Sequence, residues 1–182
     1  MHLLLAVSGG IAAYKACELV SLAVKRDHQV RVVMTPNATR FVTPLTFRAL
    51  SGHPVLVDTF QEQTDEGIDH VAWARWASVA VVAPATANLL GKLACGIADD
   101  AATTMLLALP REVPVVLAPA MNTAMWLNPV VERNLAWLAD LGRFHVVEPV
   151  EKRLACGDVG VGAMADPTEV FARAEALVGR SG

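Results

Sequence analysis

The sequence predicts a doubly wound α/β sandwich, a single domain with one parallel sheet between two layers of helices. Three observations carry that reading. Five short runs, LLLAV (3–7), VRVVMT (30–35), VAVVA (79–83), VPVVLA (113–118) and FHVVE (144–148), are apolar for most of their length. Near-continuous apolarity, rather than strict alternation, marks strands covered on both faces. Segments of helical character lie between these runs, and strands alternating with helices build a parallel sheet. Finally, 54% of the 182 residues are hydrophobic and only 18% charged, which supplies one large core. No internal repeat and no second domain is visible.

The elements follow in chain order. MHLLLAVSGG lacks the basic leader of a signal peptide and breaks after Val7, so it reads as a buried first strand. Helices are expected over Ala12 to Lys25, Pro44 to Ala49, Asp99 to Leu109 and Asn128 to Leu141. A last helix, Pro167 to Val178, has Asp166 as its cap, proline in its first turn and Glu169 three residues after the cap. Two stretches stand outside the alternation. Residues 58–69, DTFQEQTDEGID, are acidic and polar and read as a surface loop. Residues 149–165 hold Gly157, Gly160 and Gly162 in a connection too long for an ordinary loop, so a bending binding flap is expected there.

Composition excludes several function classes. The formal net charge is −3 and no block of lysine and arginine occurs, which argues against nucleic acid as a partner. The longest later apolar stretch, VAVVAPATANLL, is interrupted by Pro84 and Asn88 and falls short of the ~20 residues of a membrane span. Cys17, Cys95 and Cys156 form neither a disulfide framework nor a paired ligand set, which fits a reducing cytoplasm. Cys17 and Cys95 read as small packing residues. The histidines at 2, 28, 53, 70 and 145 are scattered, no HExxH, CxxC or GxSxG occurs, and no metal is expected. A charged surface this sparse fits burial within an oligomer, or simply a large α/β core.

In a parallel α/β sheet ligands bind beyond the carboxyl ends of the strands. Four segments arrive at that edge. SGGIAAYK (8–15) follows the first strand: its glycines allow a tight turn whose amides face a phosphate, although two glycines there also serve purely steric ends. MTPNATRF (34–41) offers neutral Thr35 and Asn37 where a dinucleotide fold would place an acid, which argues against NAD. APATANLLGK (83–92) allows a flat ring to approach the backbone, with Thr86 and Asn88 at its polar edge, or else Thr86 caps a helix. PAMNTAMW (119–126) sets Met121 and Asn122 beside the edge. The helix that follows already has Asn128 and Pro129 at its start, so it does not need Asn122 as a cap. His70, in DHVAWARWA, is either a helix-surface residue or a proton carrier. Cys156 lies in the glycine-rich flap, where a thiol is free to react.

With these motifs in order, the chain resembles the homo-oligomeric flavin-containing cysteine decarboxylases over about residues 3–178. SGGIAAYK is similar to that family's flavin-phosphate turn, DHVAWARWA to its histidine segment, PAMNTAMW to its PxMNxxMW motif and ACGDVGVGAM to its cysteine flap. The resemblance implies a three-layer Rossmann-like (flavodoxin-like) sandwich, one FMN-binding domain over 1–178 with a flexible flap at about 149–165 and a tail at 179–182. It implies FMN held at its phosphate by Ser8, Gly9, Gly10, Ile11, Thr35 and Asn37. The ring would lie against Ala83, Thr86, Ala87, Asn88, Leu89 and Ala120. Substrate would meet Met121, Asn122, Ala155 and Gly157, with His70 and Cys156 catalytic. The implied activity is redox-neutral decarboxylation of 4′-phospho-N-pantothenoylcysteine to 4′-phosphopantetheine in coenzyme A biosynthesis. Asn122 would hold the departing carboxylate, which sets aside its reading as a helix cap. The resemblance further implies a cytoplasmic homotrimer or a dodecamer of trimers. Because some bacterial members are fused to a phosphopantothenate–cysteine ligase, it implies either a free-standing enzyme or one part of such a fusion. Ala163 departs from the arginine usual in bacterial members. The alternatives are a peptidyl-cysteine oxidative decarboxylase of the lantibiotic type, for which Cys156 would be superfluous, a flavin prenyltransferase, and a non-catalytic regulatory flavoprotein.

Overall fold

The computed structural model of the chain describes residues 1–59, 69–153 and 159–179, save for the side chains of Asp69, His70, Arg153 and Val159. The elements run β1 (His2–Val7), α1 (Ala13–Lys25), β2 (Gln29–Met34), a 3-10 turn (Ala38–Arg40), α2 (Pro44–Ser51) and β3 (Val55–Leu56). They continue with α3 (Asp69–Trp76), β4 (Val79–Ala85), α4 (Ala87–Cys95), α5 (Ala101–Ala108), β5 (Val115–Pro119) and α6 (Thr123–Trp126). The last are α7 (Pro129–Asp140), β6 (Phe144–Val146), β7 (Val150–Arg153), β8 (Val159–Ala163) and α8 (Pro167–Val178).

Six parallel strands form the main sheet in the order β3-β2-β1-β4-β5-β6. Strand β1 is central, with Leu5 in register with Val32 on one side and Val81 on the other. Alternate residues of each strand face opposite sides, and β1 divides accordingly. Leu3, Leu5 and Val7 join a core layer with Leu19 and Val20 of α1, Phe47 of α2 and Phe171 of α8. Leu4 and Ala6 join the other layer, with Trp73 of α3, Leu89 and Leu90 of α4, Met105 of α5 and Leu138 of α7. Both faces are therefore covered, which accounts for the unbroken apolar runs.

Two expectations are corrected, and one open alternative is decided. Residues 149–165 are not a structureless connection: β7 and β8 pair antiparallel, with Lys152 opposite Gly160. A helix, α4, occupies the stretch after β4, started by Thr86, whose side chain accepts from the Leu89 amide. Cys95 is exposed at the end of that helix, whereas Cys17 is half-buried and burial pushes its thiol up. Among the described residues no helix is long and apolar enough to cross a membrane.

Candidate active site

Strand order reverses between β1 and β4, so the crevice above their carboxyl ends is where such a sheet takes a ligand. A cavity of about 880 Å³ opens there. Its floor is built by a buried hydroxyl. Ser8 Oγ donates to the Pro84 carbonyl at 2.7 Å, accepts from the Thr86 amide at 3.1 Å and lies 3.0 Å from Thr86 Oγ1. With its proton directed at Pro84, Ser8 ties the end of β1 to the end of β4. Gly9 is a steric requirement, because a Cβ there would stand 2.5 Å from Asn37 Cβ. This close approach draws the turn after β1 against the turn after β2, where Thr35 Oγ1 accepts from the Ala38 amide. Helix α1 then begins with no side-chain cap and no acid in its first turn, so its amino end offers partial positive charge to the cavity.

The opposite wall is the loop after β5. Asn122 Oδ1 accepts from the Ala124 amide at 2.8 Å and caps the one-turn helix α6. The expectation that Asn122 has no capping role is therefore corrected. Asn128 does cap α7, as its position suggests, but a separate short helix precedes it. The hairpin docks on this same loop. Met121 N–H donates to the Gly162 carbonyl at 2.9 Å, and a Cβ on Gly162, whose φ is +148°, would fall 2.2 Å from the Met121 carbonyl oxygen. A Cβ on Gly160 would meet Thr123 Oγ1 at 2.5 Å. Glycine at these two positions lets the strand lie flat against the pocket wall.

Charge within the cavity is arranged in two groups. Lys92 Nζ is clasped by Asp99 at 2.6 Å and Asp100 at 3.0 Å. The Asp99 hydrogen bond raises the Lys92 ammonium above its ordinary value. Asp100 also forms a capping box with Thr103 at the start of α5. On the hairpin side, Lys15 Nζ donates to the Met164 carbonyl at 2.8 Å.

Of the residues singled out from sequence, Ser8, Gly9, Gly10, Ile11, Thr35, Asn37, Thr86, Ala87, Asn88, Ala120, Met121 and Asn122 line this one cavity. Ala83 and Leu89 do not: both are fully buried, Ala83 in the α1 layer and Leu89 on the inner face of α4. His70 lies in α3, but its side chain is outside the described set, and Ala155, Cys156 and Gly157 lie outside the described residues. Lys15, Lys92, Asp99, Asp100 and Lys152 also line the cavity and went unnoticed in the sequence. For Lys15 a signal existed, since it closes the SGGIAAYK segment that follows the first strand.

The fold and this crevice define a single-domain α/β protein with a glycine-bearing turn at the switch point. The chain belongs to the flavoprotein family, whose pattern matches residues 1–179. It is 52% identical over 174 residues to the coenzyme A biosynthesis bifunctional protein CoaBC of Bacillus subtilis, covering 96% of this chain and 42% of that protein. It is 45% identical over 173 residues to a "Probable phosphopantothenoylcysteine decarboxylase" of Streptococcus mutans, covering 95% of this chain and 96% of that one. Among solved structures it resembles a cysteine-to-serine mutant of PPC decarboxylase complexed with pantothenoylaminoethenethiol, with TM-score 0.84, 36% identity and 96% of each chain covered. It also resembles the FMN-dependent cysteine decarboxylase SpaF, with TM-score 0.83, 34% identity, and 100% of this chain and 98% of that one covered.

Proposed function

We propose that the chain decarboxylates 4′-phospho-N-pantothenoylcysteine to 4′-phosphopantetheine with FMN as cofactor, in the cytoplasm and as a homo-oligomer. The observation carrying this reading is the convergence of two motif-bearing walls, Ser8–Ala12 and Ala120–Asn122, on one cavity. It is supported by the likeness to the Streptococcus mutans protein across almost the full length of both chains. The chain spans 42% of the Bacillus subtilis bifunctional relative, so a phosphopantothenate–cysteine ligase is a further proposed partner, fused or separate.

The donor set fits FMN. An uncapped amino end on α1, the neutral Thr35 and Asn37, and the absence of an acid in the first turn of α1 suit a phosphate monoester. FMN, when bound, supplies a reversible two-electron acceptor beside the substrate's sulfur-bearing carbon. The chain's own residues do the rest. Ser8 and Gly9 fix the turn that receives the phosphate. Asn122, its Oδ1 fixed by the Ala124 amide, directs its amide group at the substrate carboxylate and holds the group that will leave. His70 serves as base or electrostatic partner for the early proton movement, and Cys156 returns a proton from Sγ to the product carbon. The hairpin, seated on Met121, excludes water.

Two measurements test this together. The purified protein is expected to release FMN on denaturation and to convert the phosphorylated substrate to a product of 4′-phosphopantetheine mass. Release of FAD or NAD, or an enethiol as the end product, would overturn it.

A further inference from the structure

The cavity carries cationic groups that the flavin turn does not account for. Lys92 is neutralised by Asp99 and Asp100. Lys15 and Lys152 are not in an ion pair among the described residues, and both line the hairpin side of the cavity. Lys15 projects from α1 to the Met164 carbonyl, which holds its ammonium at the base of β8. Lys152 stands on β7 in register with Gly160, with its side chain exposed. Burial first, and then the nearby Lys152 charge, lower the Lys15 ammonium below its ordinary value.

The acids within electrostatic reach of Lys15 are Asp166 and Glu18. Asp166 is committed to the amino end of α8, accepting from the Thr168 amide, and Glu18 is exposed one turn farther along α1. Two like charges facing one cavity disfavour each other unless an anion sits between them. A dianion that accepts from both ammonium groups reverses the sign of that interaction.

Resting on the functional reading above, we propose that Lys15 and Lys152 form the subsite for the substrate's terminal phosphate monoester and set the preference for phosphorylated over unphosphorylated pantothenoylcysteine. FMN carries the same chemical group. However, Lys15 is held toward Met164, and Lys152 belongs to the strand pair that docks on Met121. Lys152 therefore belongs to the wall assigned to substrate, and Lys15 reaches toward that wall from α1.

The test compares kcat/KM for 4′-phosphopantothenoylcysteine and for pantothenoylcysteine in the FMN-loaded protein, in Lys152→Ala and in Lys152→Arg, with the FMN dissociation constant of each. In Lys152→Ala the ratio of the two kcat/KM values is expected to fall by about tenfold or more, as the loss of one charged hydrogen bond implies. Lys152→Arg should restore most of it, and FMN affinity should be unmoved. An unmoved ratio overturns the subsite. A parallel loss of FMN affinity also overturns it, by giving the lysines to the flavin phosphate. An unmutated protein that turns over neither compound overturns the functional reading itself, and the subsite with it.

Discussion

In the proposed reaction Asn122 combines two tasks in one side chain, and the two separate by chemistry. Its oxygen caps α6 through the Ala124 amide, while its amide group is assigned to the substrate carboxylate. Asn122→Asp keeps a capping oxygen and removes the amide donors. Stability should stay within about 0.5 kcal/mol, because Asp and Asn cap equally well. Activity should fall by at least about a hundredfold, because a carboxylate facing the substrate's own carboxylate repels it and an electrostatic donor is lost. Asn122→Ala should lose activity and also about 1 kcal/mol of stability. Urea unfolding beside turnover assays distinguishes the two, and an active Asn122→Asp protein would remove Asn122 from the carboxylate site. Cys156→Ser separates the half-reactions instead. CO2 should still be released while an enethiol accumulates, read by product mass under anaerobic conditions. Formation of 4′-phosphopantetheine at the unmutated rate would place the proton donor elsewhere. Ser8 shows where residue-level reading stops. Its motif points to a phosphate contact, but its hydroxyl proton goes to the Pro84 carbonyl, 76 positions away, and no local pattern announces that partner.

The elements that were legible are those that carry their own hydrophobic period. The strands of the central sheet appear as apolar runs because helices cover both faces, and α8 announces itself through Asp166 and Pro167. Strand β3 went unseen because it is two residues long, Val55–Leu56, at the sheet edge. The hairpin went unseen for a different reason. Strand β8 reads VGVGA, and its glycines serve close approach to Met121 and Thr123 rather than propensity, so the pairing rests on backbone contacts. Helix α4 was foreshadowed only by Thr86 as a possible cap, and the one-turn α6 is too short to show a period. The seating of β8 gives an element-scale test. Gly162→Ala would set a Cβ 2.2 Å from the Met121 carbonyl oxygen at a φ of +148°, so the hairpin must lift from the wall. KM for the phosphorylated substrate should rise by about tenfold or more, given the 1–3 kcal/mol of strain at such a backbone position. An unchanged KM would show that the docked hairpin plays no part in substrate binding.

At the scale of the whole molecule, several large apolar side chains stand exposed. Ile11 and Tyr14, each 61% exposed, stand at the cavity rim, and Leu45 is 72% exposed on α2. Together with an 18% charged composition, this fits the proposed homo-oligomer. Light scattering should return a multiple of 19.4 kDa, and Tyr14→Glu should lower both that mass and the retained FMN. A fully active species of 19.4 kDa would refute the assembly. The bond from Met121 N–H to the Gly162 carbonyl has a consequence for traffic through the site. It ties the hairpin stem to the Ala120–Asn122 wall, whereas the turns at Gly9 and Asn37 pack against each other. In the proposed reaction substrate and product are held mainly by that hairpin wall, and FMN mainly by the turns at Gly9 and Asn37. Residence times should divide accordingly: FMN stays through many turnovers, and each catalytic cycle is timed by the departure of its product.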